Sequence, residues 1–228
     1  MFKIYAVDLS HRCMEVDFSR LPHQIPPERR SRIDRCTHPM TRWRELVGEL
    51  LADSIIRRWL CLHTEAITIR RNPFGKPYLP DHPGCHFNLS HSGMIVLAAV
   101  GPEPVGIDVE SVRPLSKMMR IAARFFSEKE RSYLETKPEH QRLEAFFDLW
   151  TLKESYIKAV GTGLSRPLKS FSVVPTDDDS ATLESERDEA FRFFRRYTLL
   201  EGYKVAICSR EARFPEEIQM IDFTPSEL

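Results

Sequence analysis

Twice along this chain an apolar period of three to four residues gives way to alternation on a period of two. That succession restricts the fold more than any other feature. Between Thr41 and Leu60 the apolar positions Trp43, Leu46, Val47, Leu50, Leu51, Ile55, Ile56 and Trp59 mark one face of an amphipathic helix. The stretch AITIRRNPFGKPYL then gives a short strand and a Gly/Pro turn, and HFNLSHSGMIVLAAV reads as strand, polar break and buried strand. A second helix runs from about Pro138 to Val160 and stops at Gly161, with GTGLSRPLKSFSVV as turn and strand behind it. Each half thus holds one long helix, a Lys-Pro or Arg-Pro turn, and strands that pair antiparallel. The expected fold is α+β: two similar subdomains with pseudo-twofold symmetry, residues 1–104 and 105–228, each an antiparallel sheet packed on a long helix.

Shorter signals fill in the rest. Residues 2–9 form a strand, and Ser127 with Glu130 makes a capping box that opens a short helix. Residues 176–190 are an acidic loop region, and FRFFRRYTLL and YKVAICS close a hairpin around Glu201-Gly202. After the turn GPEP, the stretch VGIDVE is expected to pair back on the buried strand before it.

The 228 residues are 42% apolar and 29% charged with a formal net charge of zero, which gives the whole molecule no bias toward nucleic acid or membrane. No window approaches the run of about 18 apolar residues that a membrane span needs. The opening MFKIYAVDLS reads as a strand rather than a signal peptide. Five scattered cysteines without a CxxC pair argue against a disulfide framework or zinc site and fit a reducing cytoplasm.

The chemistry begins at VGIDVE, residues 105–110. On a strand Asp108 and Glu110 share a face, and two adjacent carboxylates repel unless a positive group lies between them. On the helix FFDLWTLKESYIKAVG, Glu154 and Lys158 share a face four residues apart, and the other neighbours of Glu154 are the largely apolar Trp150, Thr151 and Ile157. Three carboxylates without His or Cys make a hard oxygen site suited to Mg²⁺, which usually binds substrate phosphates as well. Spacing alone also allows a solvent-facing strand edge for the first pair, and taken by itself the second pair reads as a plain helix ion pair.

Residues 26–44 hold six arginines against two acids. Arg29, Arg30, Arg32, Arg35, Arg42 and Arg44 suit bidentate phosphate contacts, although a solvated charged face has the same composition. In NLSHSG, residues 88–93, His91 follows a strand and suits a phosphate contact or acid–base work. No G-x-S-x-G, GxxxxGK[ST] or GxGxxG is present, which disfavours a hydrolase elbow, a P-loop and a Rossmann site. Met118, Met119, Ile121, Phe125 and Phe126, interspersed with Arg120 and Arg124, read as core packing or, if exposed, as a surface for a protein partner.

In this order the pieces resemble a 4'-phosphopantetheinyl transferase of the Sfp type. The resemblance spans nearly the whole chain. Its core is GIDVE (106–110) followed by WTLKESYIKAVGTGL (150–164), with NLSHS, FGKPYL and PERRSR as further blocks. It implies that Asp108, Glu110 and Glu154 hold Mg²⁺ against the pyrophosphate of coenzyme A, and that Lys158 contacts the same phosphates. It places Asn88, Ser90 and His91 along the pyrophosphate and 3'-phosphate, Arg29, Arg32 and Arg44 at the 3'-phosphate and adenine end, and Gly75, Lys76 and Pro77 at the nucleotide.

The reaction implied moves phosphopantetheine from coenzyme A to a serine of an apo acyl or peptidyl carrier protein, with adenosine 3',5'-bisphosphate as the other product. Catalytic roles fall to Glu154, Lys158 and Asp108, with Glu154 taking the serine proton directly or through a metal-bound water. The nucleotide falls to the first half and the metal to the second. Arg120, Arg124 and the methionines would meet an acidic carrier helix, and a two-half chain is expected to act as a monomer. This sequence departs from the family pattern in carrying arginines at 29 and 32 and Glu45 after Arg44; that carboxylate either turns away from the 3'-phosphate or removes a contact. Two other classes compete. Metal-dependent nucleases of the D…ExK kind place Glu and Lys two apart on a strand, and a coenzyme A or carrier-binding module without turnover has no use for all three acids and the lysine.

Overall fold

The computed structural model describes residues 1–10, 25, 27–185 and 190–222, without the side chains of residues 27–29, 32 and 164. Strand β1 (Lys3–Asp8) opens the chain, followed by α1 (Pro27–Asp34) and the 22-residue α2 (Pro39–Leu60). Pro39 starts α2 at a position where a missing N–H costs nothing, and Cys61 in the left-handed conformation ends it. A small hairpin, β2 (Arg70–Arg71) and β3 (Pro77–Tyr78), leads to β4 (His86–Ser92), β5 (Ile95–Gly101) and β6 (Val105–Ser111).

Helices α3 (Met118–Phe125) and α4 (Glu128–Thr136) precede the second 22-residue helix, α5 (Glu139–Val160). The Ser127–Glu130 capping box is present at α4, and Gly161 closes α5 at φ 77°. Strands β7 (Phe171–Pro175), β8 (Ala181–Ser185), β9 (Phe193–Tyr197), β10 (Tyr203–Ser209) and β11 (Gln219–Met220) complete the order.

The strands assemble into two main sheets, ordered β11-β1-β5-β4 and β6-β10-β9, with β2-β3 and β7-β8 as separate hairpins. In the first sheet β1, β5 and β4 pair antiparallel, and β11 returns to lie parallel against β1. Period-two alternation sorts each strand between layers. Tyr5, Val7, Val96, Ala98 and Val100 pack with the apolar stripe of α2, whereas Ile4, Ala6, Ile95, Leu97 and Ala99 face Val105, Ile107, Val109, Val205 and Ile207 of the second sheet. On the far side of that sheet Ala206 and Cys208 pack with Leu152, Tyr156 and Ala159 of α5. The order of layers is helix, sheet, sheet, helix, and each half packs a sheet, antiparallel but for the short β11, on a long helix.

One expected pairing is corrected. β6 does not pair back on β5, because β1 and β4 already occupy both edges of that strand. It pairs with β10 instead, in a seven-residue register centred on Asp108 and Ala206. Its other edge meets β4 without a ladder. Asn88, Ser90 and Ser92, on one face of β4, extend side-chain oxygens that accept from the N–H groups of Ile107 (2.9 Å), Val109 (3.3 Å) and Ser111 (3.1 Å). Side chains thereby satisfy donors that a bare sheet edge leaves open.

Candidate active site

Because Val105, Ile107 and Val109 face the other sheet, Gly106, Asp108 and Glu110 face α5. A Cβ on Gly106 would lie inside the contact distance of the Ser155 carbonyl and the Ala159 N–H, so the strand reaches the helix only as glycine. From Thr151 to Ala159 every residue of α5 is buried except Glu154 and Lys158, which open on the cleft between the halves.

Lys158 Nζ lies 2.7 Å from Asp108 Oδ1 and also donates to Ser90 Oγ (2.9 Å) and the Ile107 carbonyl (3.2 Å). Ser90 Oγ donates to the same Asp108 oxygen at 2.8 Å. Glu110 Oε2 accepts from Ser92 Oγ at 2.7 Å and from Arg113 at 3.4 Å. Burial holds the Glu154 carboxyl above its ordinary range; repulsion from Asp108 and Glu110 adds to that, and Lys158 opposes it. Asp108 and Lys158 are in direct contact, and both, with Glu110, lie near enough to Glu154 to act on its charge.

Two cavities flank Lys158. A polar one of about 280 Å³ is lined by Arg44, Glu45, Glu49, Arg71, His91, Asp108 and Glu110 among others. The second, about 240 Å³, has Phe74, Gly75, Lys76, Glu154, Ile157 and Gly161 in its wall, and Pro77, Asn88, Leu89 and Lys158 are shared. Arg44 donates to the Gly93 carbonyl (3.4 Å) and Thr41 Oγ1 (3.3 Å). Glu45 lines the same cavity, its Oε1 3.5 Å from His91 Nε2. Lys76 lines the second cavity, while its ammonium donates to the carbonyls of Val105 (3.2 Å) and Ala159 (2.7 Å). The Arg29 and Arg32 side chains lie outside the described residues.

Sequence reasoning misses Glu49 and Arg71 and, for Ser92, its contact with β6. Ser92 had a signal, since it shares a period-two face with Asn88 and Ser90. Glu49 and Arg71 had none: they come from α2 and β2 and meet only in the fold, at 3.9 Å.

Asp108 Oδ2 is buried without a hydrogen-bond partner, and Asp108 and Glu110 both act on the charge of Glu154, so the donor set fits a hard cation. Among the described residues no three Asp, Glu, His or Cys side chains close into a ready-made cage. An ion that keeps several waters and takes one or two carboxylates, as Mg²⁺ does, suits that open arrangement.

Asp108, Glu110, Glu154 and Lys158 thus lie beside two cavities, where β6 and α5 of the second half face β4 of the first. Residues 104–208 match the 4'-phosphopantetheinyl transferase superfamily, and residues 11–103 match the N-terminal region of 4'-phosphopantetheinyl transferases. The chain belongs to that superfamily. It is 37% identical over 221 residues to 4'-phosphopantetheinyl transferase Sfp of Bacillus subtilis (strain 168), covering 97% of this chain and 98% of that protein. It is 34% identical over 192 residues to 4'-phosphopantetheinyl transferase gsp of Aneurinibacillus migulanus, covering 84% and 79%. A holo-(acyl-carrier-protein) synthase from Bacillus anthracis, solved in complex with CoA (3',5'-ADP), aligns with 46% of this chain and 92% of its own at a TM-score of 0.40 and 22% identity.

Proposed function

We propose that the protein transfers 4'-phosphopantetheine from coenzyme A to a serine of an apo carrier protein in a Mg²⁺-dependent reaction. The observation that carries this reading is the pairing of Glu154 and Lys158, the two openings in an otherwise buried stretch of α5, with Asp108 and Glu110 of β6. Asp108, Glu110 and Glu154 would hold the cation. When bound, Mg²⁺ supplies positive charge against the pyrophosphate of coenzyme A.

Lys158 lies between the two cavities and is placed to neutralise charge on the leaving adenosine 3',5'-bisphosphate. Glu154, with its carboxyl raised by burial, suits removal of the proton from the carrier serine as that oxygen bonds to phosphorus. Arg44, Asn88, Ser90, His91 and the loop Gly75–Pro77, with Arg29 and Arg32, bind the nucleotide and its phosphates. This assigns coenzyme A recognition chiefly to residues 1–104 and metal and proton chemistry to 105–228, a division supported by the two family matches, which meet at 103 and 104.

The outward face of α3 suits the carrier. Met119 is 40% exposed and Arg120 and Arg124 are exposed beside it, whereas Phe126 is core. A cationic and apolar face of this kind fits the acidic helix of a peptidyl or acyl carrier of peptide and polyketide synthases. The enzyme would work as a monomer in the cytoplasm, where coenzyme A and such synthases are found. No helix among the described residues is long and apolar enough to cross a membrane.

The test is to incubate the protein with coenzyme A, Mg²⁺ and apo carriers and to weigh the carriers. A gain of one phosphopantetheine that disappears with EDTA and with Glu154→Gln is expected. Unmodified carriers together with cleavage of DNA would favour the nuclease class instead.

A further inference from the structure

Three side chains at a spacing of two reach from β4 to the open edge of β6, and two of them do more than close that edge. Ser90 Oγ accepts from Val109 N–H and donates to Asp108 Oδ1 at 2.8 Å. Ser92 Oγ repeats the arrangement one step along, accepting from Ser111 N–H at 3.1 Å and donating to Glu110 Oε2 at 2.7 Å. A hydroxyl has one hydrogen, and in both places a backbone donor occupies a lone pair, which directs that hydrogen at the carboxylate. Ser92 is 7% exposed, so water does not readily replace its contact. Among the described residues Glu110 is otherwise bonded only by the exposed Arg113 at 3.4 Å, two residues beyond its own strand. Its direction is therefore fixed from the other half of the molecule.

We propose that Ser92 is a positioning residue for Glu110: its hydroxyl sets the orientation in which that carboxylate meets the divalent cation, as Ser90 does for Asp108. The inference rests on the magnesium reading of the site and adds to it the group from the first half that shapes the ligand set. Partners in contact with a metal ligand typically change cation affinity about 10–100-fold when removed. A purely structural Ser92 would move stability and leave that affinity alone.

The test is cation affinity, read by electron paramagnetic resonance of Mn²⁺ titrated into the full-length protein, apart from any assay of turnover. Ser92→Ala is expected to weaken Mn²⁺ binding about tenfold or more, and Ser92→Thr, which keeps the hydroxyl, to restore it. In a Glu110→Gln background, Ser92→Ala should bring no further loss, since the carboxylate it acts through is gone. Should Ser92→Ala not fold, Ser92→Cys keeps a side chain of similar shape with a weak donor and carries the same comparison. Affinity within twofold of the parent in the Ser92 variant, or equal losses with and without Glu110→Gln, overturns the proposal and leaves the magnesium site standing. Parent-like Mn²⁺ affinity in Glu110→Gln itself overturns the proposal, and a parent protein that binds no Mn²⁺ overturns both.

Discussion

Glu130 and Lys153 are buried together, at 0% and 1% exposure, in the half that carries the acid cluster. Lys153 Nζ donates to both Glu130 oxygens, at 2.6 and 2.8 Å, and to the Phe171 carbonyl at 2.9 Å. The same carboxylate accepts from Ser127 N–H (2.7 Å) and Val173 N–H (2.8 Å), so one charge pair ties the start of α4 to α5 and β7. Burial lowers the Lys153 pKa and Glu130 opposes the shift. Such a pair stabilises only while every member is satisfied. It also fixes the rotation of α5 one residue before Glu154, which links it to the site. Lys153→Met should cost about 3–5 kcal/mol in urea denaturation because it strands a buried carboxylate. Adding Glu130→Gln should recover a large part of that loss, and an unchanged urea midpoint in the single variant would refute the account.

At the scale of elements, β6 lies so close to α5 that Gly106 is a packing requirement rather than a turn. A Cβ there would also come within 2.9 Å of Ala159 Cα, and backbone on both sides cannot yield as a flexible side chain can. Gly106→Ala is expected to cost at least the roughly 1–3 kcal/mol of an overpacked core and to lower transfer by shifting Asp108 against Lys158. A calorimetric midpoint equal to that of the parent would show that the helix moves aside freely. The two faces of VGIDVE were legible from alternation alone, and so were both long helices, with the Gly end of α5; the Pro39 start and Cys61 end of α2 were not. The partner of β6 was not. Period two says which way Asp108 points, but β10 lies far along the chain and nothing local encodes that pairing. For the same reason NLSHS shows its His and Ser chemistry in the sequence, while its use as a hydrogen-bonding edge requires knowing that β6 arrives beside it without a ladder.

At the scale of the molecule, the hairpin of the first half is clamped on the helix of the second. Asn72 Nδ2 donates to the Gly161 carbonyl at 2.8 Å, and its Oδ1 accepts from the N–H groups of Phe74 and Lys76, both at 2.9 Å. Lys76 carries the clamp inward to the carbonyls of Ala159, at the end of α5, and Val105, at the start of β6. A cation suits a helix C-terminus, yet burial brings the Lys76 pKa down to about 8. An unfolded lysine titrates near 10.4, so between these values the unfolded chain binds the extra proton and stability rises with pH, by at most about 1.4 kcal/mol per unit. The contribution is complete above the unfolded pKa and is lost as pH falls through about 8. Denaturant titrations of the parent and Lys76→Met at steps from about pH 7.5 to 10 isolate it, because every other titrating group is common to both proteins. The parent should gain on the variant across that range. Parallel curves would mean that the ammonium keeps its ordinary pKa and that the clamp between the halves is solvated.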